Sequence, residues 1–275
     1  MPLPDDFQFS QSSLQDYVEC ARRFELRYID NLLWPAVVAE PIAEQERQRQ
    51  RGADFHHLIH QHLLGVPAEA LAGMTTDDEL SRWWEAYRRD SLVNGLPKPR
   101  FPEIVLSTPL GQHRLLAKYD LLAIQPGEQA IIVDWKTSLR KPAPARLANR
   151  LQTIVYRYVL VEAGAFLNGG QPIVPEQVEM IYWFAVEPTQ PERFGYNATQ
   201  HQESGAYLTT LIAEINQRKI FDLTTEVQRC SFCRYRSLCE RGVRAGAMDE
   251  IDADWDDQPT TAADFTFDDI AEIEF

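Results

Sequence analysis

The chain has 275 residues, 44% hydrophobic and 25% charged, a globular composition large enough for a sizeable core. No apolar run approaches the roughly 18 residues of a membrane span, and the opening MPLPDDFQFS lacks a signal-peptide pattern, so a soluble cytoplasmic protein with no membrane partner is expected. Four cysteines are too few for a disulfide scaffold at this length, which leaves metal binding or plain burial.

The net charge of −14 is unevenly spread. Residues 248–275 hold 11 of the 41 acids and no Lys or Arg, leaving 30 acids against 27 bases in the body. From Trp135 to Val161 there are six bases and no acid, and a second basic group, Arg229, Arg234, Arg236, Arg241 and Arg244, closes the body. Local sign matters more to a polyanion than the total, so the overall charge does not exclude nucleic acid.

In chain order, residues 9–29 open with serines suited to an N-cap and continue with helical spacing through Leu14, Tyr17, Phe24 and Tyr28. Segments 45–65 and 77–93 also read as helices. The period then changes to predict strands at 101–110, 113–124 and 129–138, the last two joined by a turn at Pro126-Gly127. A helix over 145–164, a strand over 178–186 and a helix over 206–219 complete the body. This order predicts an α/β fold with a mixed central sheet flanked by helices. Residues 1–247 are expected to form a single domain, with the acidic tail 248–275 disordered.

The stretch IIVDWKTS (131–138) places charges at the end of an apolar strand, where burial is costly unless they are paired or metal-bound. Residues two apart share a face, so Asp134 and Lys136 project together and Trp135 faces away. A hairpin turn at 125–129 brings Asp120 beside Asp134. Two carboxylates that close repel unless a cation lies between them, and hard oxygen donors suit Mg²⁺ or Mn²⁺. A lysine alongside can orient a water and offset charge on a phosphate. The alternative is a simple Asp–Lys ion pair at a strand end. Gly52 precedes His56 by four residues on a predicted helix, and Gln152 and Tyr156 lie four apart on one face of another.

The order G-x-x-x-H, Asp, D-x-K, Q-x-x-x-Y resembles the RecB-like branch of the PD-(D/E)XK nuclease superfamily over about residues 9–242. That resemblance implies a restriction-endonuclease-like core and a DNA nuclease, exonuclease-type, acting in repair, recombination or defence. It implies metal ligation by His56, Asp120, Asp134 and the main-chain carbonyl of Trp135, with Lys136 on the nucleophilic water. Gln152 and Tyr156 would contact DNA or brace the site, and Glu103 falls where such proteins often carry an acid on the first strand. Ala117 stands where a glycine commonly precedes the metal-binding aspartate. Arg140, Lys141, Arg146 and Arg150 are candidates for tracking a DNA backbone.

The cysteines fall as Cys230-x2-Cys233-x5-Cys239, with Cys20 far upstream, one set of four thiol ligands. Spacing alone admits structural zinc or an iron–sulfur cluster. The pattern resembles iron–sulfur nucleases of the AddB type and their CRISPR-adaptation relatives, which implies a [4Fe–4S] cluster clasping 10–30 to 226–242. Ala21 stands where a proline is frequent after the first cysteine. The tail is either a solubilising extension, a mimic of DNA, or a docking element for a partner such as a helicase. A catalytically silent DNA-binding or scaffolding subunit is the alternative to an enzyme.

Overall fold

The computed structural model describes residues 3–4, 6–33, 40–231 and 233–242, with side chains described from residue 47 onward in the long third helix. The tail 248–275 and Arg244 lie outside the described residues, and with them the expectations placed on that tail.

The elements run β1 (Gln8–Ser10), α1 (Gln11–Glu19), α2 (Ala21–Phe24), α3 (Glu40–Leu63), α4 (Ala68–Ala72), α5 (Asp78–Arg89) and α6 (Leu92–Gly95). Then follow β2 (Arg100–Leu110), β3 (His113–Gln125), β4 (Gln129–Lys136), α7 (Pro144–Ala148), α8 (Leu151–Ala163), β5 (Val178–Phe184), β6 (Glu192–Gly195) and α9 (Ala198–Gln217). The fold is α/β with a mixed six-stranded sheet flanked by helices, as the period changes predict. Among the described residues no helix is long and apolar enough to cross a membrane.

The N-terminal serines act as expected. Ser10 accepts from the Ser13 backbone N–H at 3.2 Å while the Ser13 hydroxyl accepts from the Ser10 N–H at 2.9 Å, a reciprocal cap on α1. The single helix expected over 9–29 is interrupted, because Cys20 is extended (φ −161°) between α1 and α2. The helix expected over 145–164 is likewise two. The Asn149 amide donates back to Ala145 O at 2.8 Å, and Arg150 is extended, so α8 starts afresh at Leu151. The short strands β1 and β6 carry too few residues for a period-2 signal.

The strand β3 organises the sheet. β2 pairs antiparallel with it from Arg100↔Ala123 to Leu110↔His113 and occupies one edge. The other edge is shared: β1 runs parallel to residues 114–116, and β4 pairs antiparallel from Gln125↔Gln129 to Leu121↔Val133. Beyond Val133 the strands diverge, and Asp134, Trp135 and Lys136 continue against Tyr182, Trp183 and Phe184 of the parallel β5. A fork therefore opens between β3 and β4 where Asp120 and Asp134 would otherwise have been opposite.

The two faces of the sheet are covered differently. Tyr119, Ile132, Tyr182 and Phe184 join the layer of α1, α2, α8 and α9. Leu121, Val133, Trp135 and Trp183 join the layer of α3, α4 and α5, an aromatic packing with Phe55, Trp83, Trp84 and Tyr87. Burying a residue of this size stabilises by about 2 kcal/mol, so the two layers fix the height of the helices over the fork. Along β2, Ile104 and Leu106 face the first layer, yet beyond Glu103 it is Phe101 that does. Along β3 the same layer takes Leu115, Ala117 and Tyr119, then Leu122 and Ile124. The parity thus flips in both strands at one register position, where Glu103 adopts φ +53° and the bridge opposite Asp120 is missing. A left-handed non-glycine residue inside a strand is strained by about 1–2 kcal/mol, and such strain concentrates at functional sites.

Candidate active site and metal centre

The fork gathers side chains from both layers. From α3, His56 reaches in, its Nδ1 3.4 Å from Asp120 Oδ2. Helix α3 can approach this closely because residue 52 is glycine: a Cβ there would stand 2.8 Å from Thr137 Oγ1, and Gln48 Nε2 donates to Thr137 O at 3.2 Å. Asp120 Oδ2 also accepts the Trp135 backbone N–H at 2.9 Å, which ties the separated strands together across the mouth of the fork. His56, Glu103 and Asp120 each offer a ligand atom, and the three atoms lie within 4.8 Å of one another. Glu103 is held by Lys118 at 2.9 Å.

Asp134 lies deeper, with Lys136. Both are almost fully buried, and Lys136 Nζ stands 2.8 Å from Asp134 Oδ2. Gln152 Nε2 donates to Asp134 Oδ1 at 2.7 Å, so the predicted helix face does meet the carboxylate. Tyr156 lies beside Gln152, its ring 5.0 Å from that of Tyr119. Burial, then Asp134 and Asp120, push its hydroxyl well above the ordinary tyrosine range. Burial alone would lower the His56 pKa, but Asp120, with Asp134 and Glu103 behind it, outweighs burial and raises it to about 9. Burial opposes charge on Asp120 as well, yet His56, the Trp135 N–H and Lys136 hold its carboxyl below the usual range. Two carboxylates and an imidazole this close, partly open to solvent, form a donor set that fits a hard divalent cation such as Mg²⁺ or Mn²⁺. The 4.8 Å group contains Glu103 and not Asp134, whose oxygens face Lys136 and Gln152.

The basic candidates separate. Arg140 and Arg146 are exposed and Arg150 is half-buried. Lys141 instead folds onto the protein, 2.6 Å from Glu192 Oε1, 3.7 Å from Glu187 Oε2 and donating to Gln190 O at 2.6 Å. That ammonium is engaged in holding the loop after β4 against β6.

The four cysteines form no disulfide, and they lie where the two ends of the described chain converge. Cys20 influences the ionisation of Cys230, Cys233 and Cys239. Burial raises all three of these thiols, Cys233 to about 11, while Arg23 works against the rise at Cys230 and Cys233. Beside them Arg23 Nε pairs with Asp16 Oδ1 at 2.8 Å and its terminal nitrogen with Glu19, and Arg27 pairs with Asp16 Oδ2 at 3.1 Å. Nothing in the sequence pattern marked this buried network. The signal available was four charges at helical spacing within a stretch otherwise read as amphipathic.

The sequence matches the model of the PD-(D/E)XK nuclease superfamily over residues 8–240. The chain belongs to that superfamily, a group of nucleases that use divalent metal ions. Among solved structures it is similar to a protein from Eubacterium rectale named "Putative exonuclease", at 10% identity and a TM-score of 0.48, covering 80% of this chain and 85% of that one. It is also similar to SSO0001, at 12% identity and a TM-score of 0.39, covering 82% and 84%. At TM-scores this low neither likeness carries weight beside the family match. No curated protein matches the chain.

Proposed function

We propose that this protein is a metal-dependent deoxyribonuclease of the RecB-like branch, working from DNA ends. The observation that carries this reading is the cluster of His56, Glu103 and Asp120 donors beside the buried Asp134–Lys136 pair, at the fork of the sheet. His56, Asp120 and Asp134, with the Trp135 carbonyl and Glu103, would hold one or two Mg²⁺ or Mn²⁺ ions. A metal held there would supply charge relief on the attacked phosphate and on the leaving 3′ oxygen. Lys136 holds and orients the attacking water, and its ammonium adds to the positive field at the phosphorus. Gln152 fixes Asp134, and Tyr156 closes the site from the α8 side. Arg140, Arg146 and Arg150 attract the backbone irrespective of sequence, so binding weakens steeply with salt. Lys141 contributes by bracing the loop that carries Arg140.

Cys20, Cys230, Cys233 and Cys239 would hold a [4Fe–4S] cluster. Arginines 22, 23 and 241 lie close enough to affect these thiols, which suits an anionic metal–thiolate centre. The acidic tail would dock a partner, such as a helicase, in a DNA-processing complex of the cytoplasm.

The experiment is cleavage of end-labelled linear and circular DNA with Mg²⁺ or Mn²⁺. Linear DNA is degraded from its ends, circular DNA is spared, and chelation stops the reaction. Asp120→Asn abolishes cleavage while leaving DNA binding. Binding without cleavage in the wild-type protein, under either metal, would replace the enzyme with a scaffolding subunit. One zinc per chain and no acid-labile sulfide would replace the cluster.

A further inference from the structure

Helix α3 does more at the fork than deliver His56. Gln48, Gly52 and His56 follow one another at intervals of four, so they lie along one face of the helix. That face crosses the end of β4. Gln48 Nε2 donates to the Thr137 carbonyl at 3.2 Å, Gly52 leaves room for the Thr137 hydroxyl, and His56 reaches Asp120. Thr137 directly follows Lys136, whose own carbonyl accepts the Ala185 N–H at 2.8 Å. The backbone that presents the lysine is thus tethered on one side to the end of β5 and on the other to α3.

Gln48 is almost fully buried, and its amide has a single orientation that matches both ends. A carbonyl only accepts and a guanidinium only donates. The amide nitrogen therefore faces Thr137, and the amide oxygen faces Arg51, whose Nη1 stands 2.7 Å away. The same Nη1 donates to Glu79 Oε2 at 2.6 Å, so both of its protons are placed. The single Nε proton goes to Asp77 Oδ2 at 2.7 Å. Asp77 is itself fixed, since its other oxygen caps α5 by accepting the Leu80 N–H at 2.8 Å. No proton in this set is asked to serve two acceptors. Neither Gln48 nor Arg51 belongs to the motifs read from the sequence.

We infer that Gln48 is a positioning residue for the metal site, with Arg51 setting its amide from the start of α5. Gln48 acts through the backbone at Thr137. It fixes the distance between α3, which carries His56, and the end of β4, which carries Asp134 and Lys136. Without the amide nitrogen the Thr137 carbonyl loses this donor, and nothing polar on this face of α3 holds the helix to β4. The inference rests on the metal site proposed at the fork.

The test is Mn²⁺ affinity, read by electron paramagnetic resonance, alongside thermal unfolding and cleavage kinetics. Gln48→Met keeps the length of the side chain and removes both polar ends. Mn²⁺ binding weakens about fivefold, roughly what one hydrogen bond contributes, and kcat falls while KM for DNA is unchanged. Arg51→Met weakens Mn²⁺ binding too, because the amide is then able to turn. In a Gln48→Met background Arg51→Met has no further effect on Mn²⁺ binding, although it still lowers the melting temperature through the lost contacts to Asp77 and Glu79. Losses of Mn²⁺ affinity that add in full, or wild-type affinity in Gln48→Met, overturn the inference. Should Gln48→Met not fold, Gln48→Glu keeps the volume and the bond from Arg51 but has no proton for Thr137, and unchanged Mn²⁺ binding there overturns it equally. Metal affinity is read without turnover, so a protein that binds Mn²⁺ yet never cuts DNA refutes the nuclease reading and leaves this one standing on its own result. A wild-type protein that takes up no Mn²⁺ overturns both.

Discussion

At the fork, Asp134 and Lys136 sit two residues apart on one strand, with His56, Glu103 and Asp120 opening above them toward solvent. At the chain ends, Asp16, Glu19, Arg23 and Arg27 sit on successive helical turns, beside thiols drawn from residue 20 and from 230–239. Both regions bury charge, but the first keeps donors pointing at a cleft and the second turns its charges onto one another. A dry, mutually matched network contributes rigidity, since each member has partners already in place. A set of donors that remains partly exposed is poised to take a ligand. The comparison teaches that burial of charge alone does not distinguish a reactive site from a structural one. The direction in which the donors face does.

The sharpest way to break that contrast is at Lys136. Lys136→Met keeps the aliphatic stem and removes the ammonium. Cleavage is expected to fall about 10³-fold, measured by single-turnover kinetics with Mg²⁺ in excess, with DNA affinity nearly unchanged. A loss below about tenfold would move the chemistry away from this pair. At the chain ends the expected effect is on stability and not on chemistry. If the thiols hold the proposed cluster, Cys233→Ser is expected to lose the bound metal and to lower stability by about 4 kcal/mol, the contribution of a ligand held at a thousand times its dissociation constant. Urea unfolding and metal analysis measure both. Wild-type stability without metal would show that the clasp folds unaided.

A third prediction joins the two regions. Asp134 and Lys136 are buried, so removing one partner strands the other, at about 3 kcal/mol. Asp134→Ala therefore destabilises as well as inactivates, and Asp134→Leu with Lys136→Met together recovers most of the lost stability. Thermal unfolding of the two single variants and the double checks this. If the double variant is the least stable of the three, the pair is holding the fork together and is not merely tolerated there.

Much of the fork was legible because its parts are local. The hairpin Asp120–Asp134 spans one turn, D-x-K is set by strand period, and Q-x-x-x-Y by helix period. The alternation of Asp134 and Lys136 against Trp135 follows from those periods, and the structure has it. Glu103 enters the sequence reading only through the family resemblance, as an acid on the first strand. Its φ of +53° and the matching flip at Asp120 depend on two strands at once, which no single-strand pattern encodes. Gln48 read as one more polar position on a helix, because Thr137, which it holds, lies far along the chain. The breaks at Cys20 and at Asn149–Arg150 were missed for a related reason. Apolar spacing continues across both, while the chain direction changes to bury Phe24 with Phe221 and to aim Gln152 at Asp134. Lys141 looked like a free base within an acid-poor stretch, and its acidic partners Glu187 and Glu192 lie some fifty residues on.

The smallest expected effect tests how closely the layer of α3, α4 and α5 must sit on the fork. Gly52→Ala adds a methyl group 2.8 Å from Thr137 Oγ1, so either Thr137 turns or α3 lifts. Alanine in a helix gains about 1 kcal/mol over glycine, and a forced contact in a packed region costs about 1–3 kcal/mol. The two nearly offset, and the melting temperature is expected to move little. Metal affinity has no such compensation, because His56 rides on the same helix one turn later and stands 3.4 Å from Asp120. Mn²⁺ binding should weaken several-fold in Gly52→Ala and recover when Thr137→Ala is added, since that substitution removes the oxygen the new methyl meets. Weakened binding without recovery would mean that glycine serves α3 by some means other than clearance over Thr137. Unchanged binding would mean that the height of the helix over the fork does not set the position of His56.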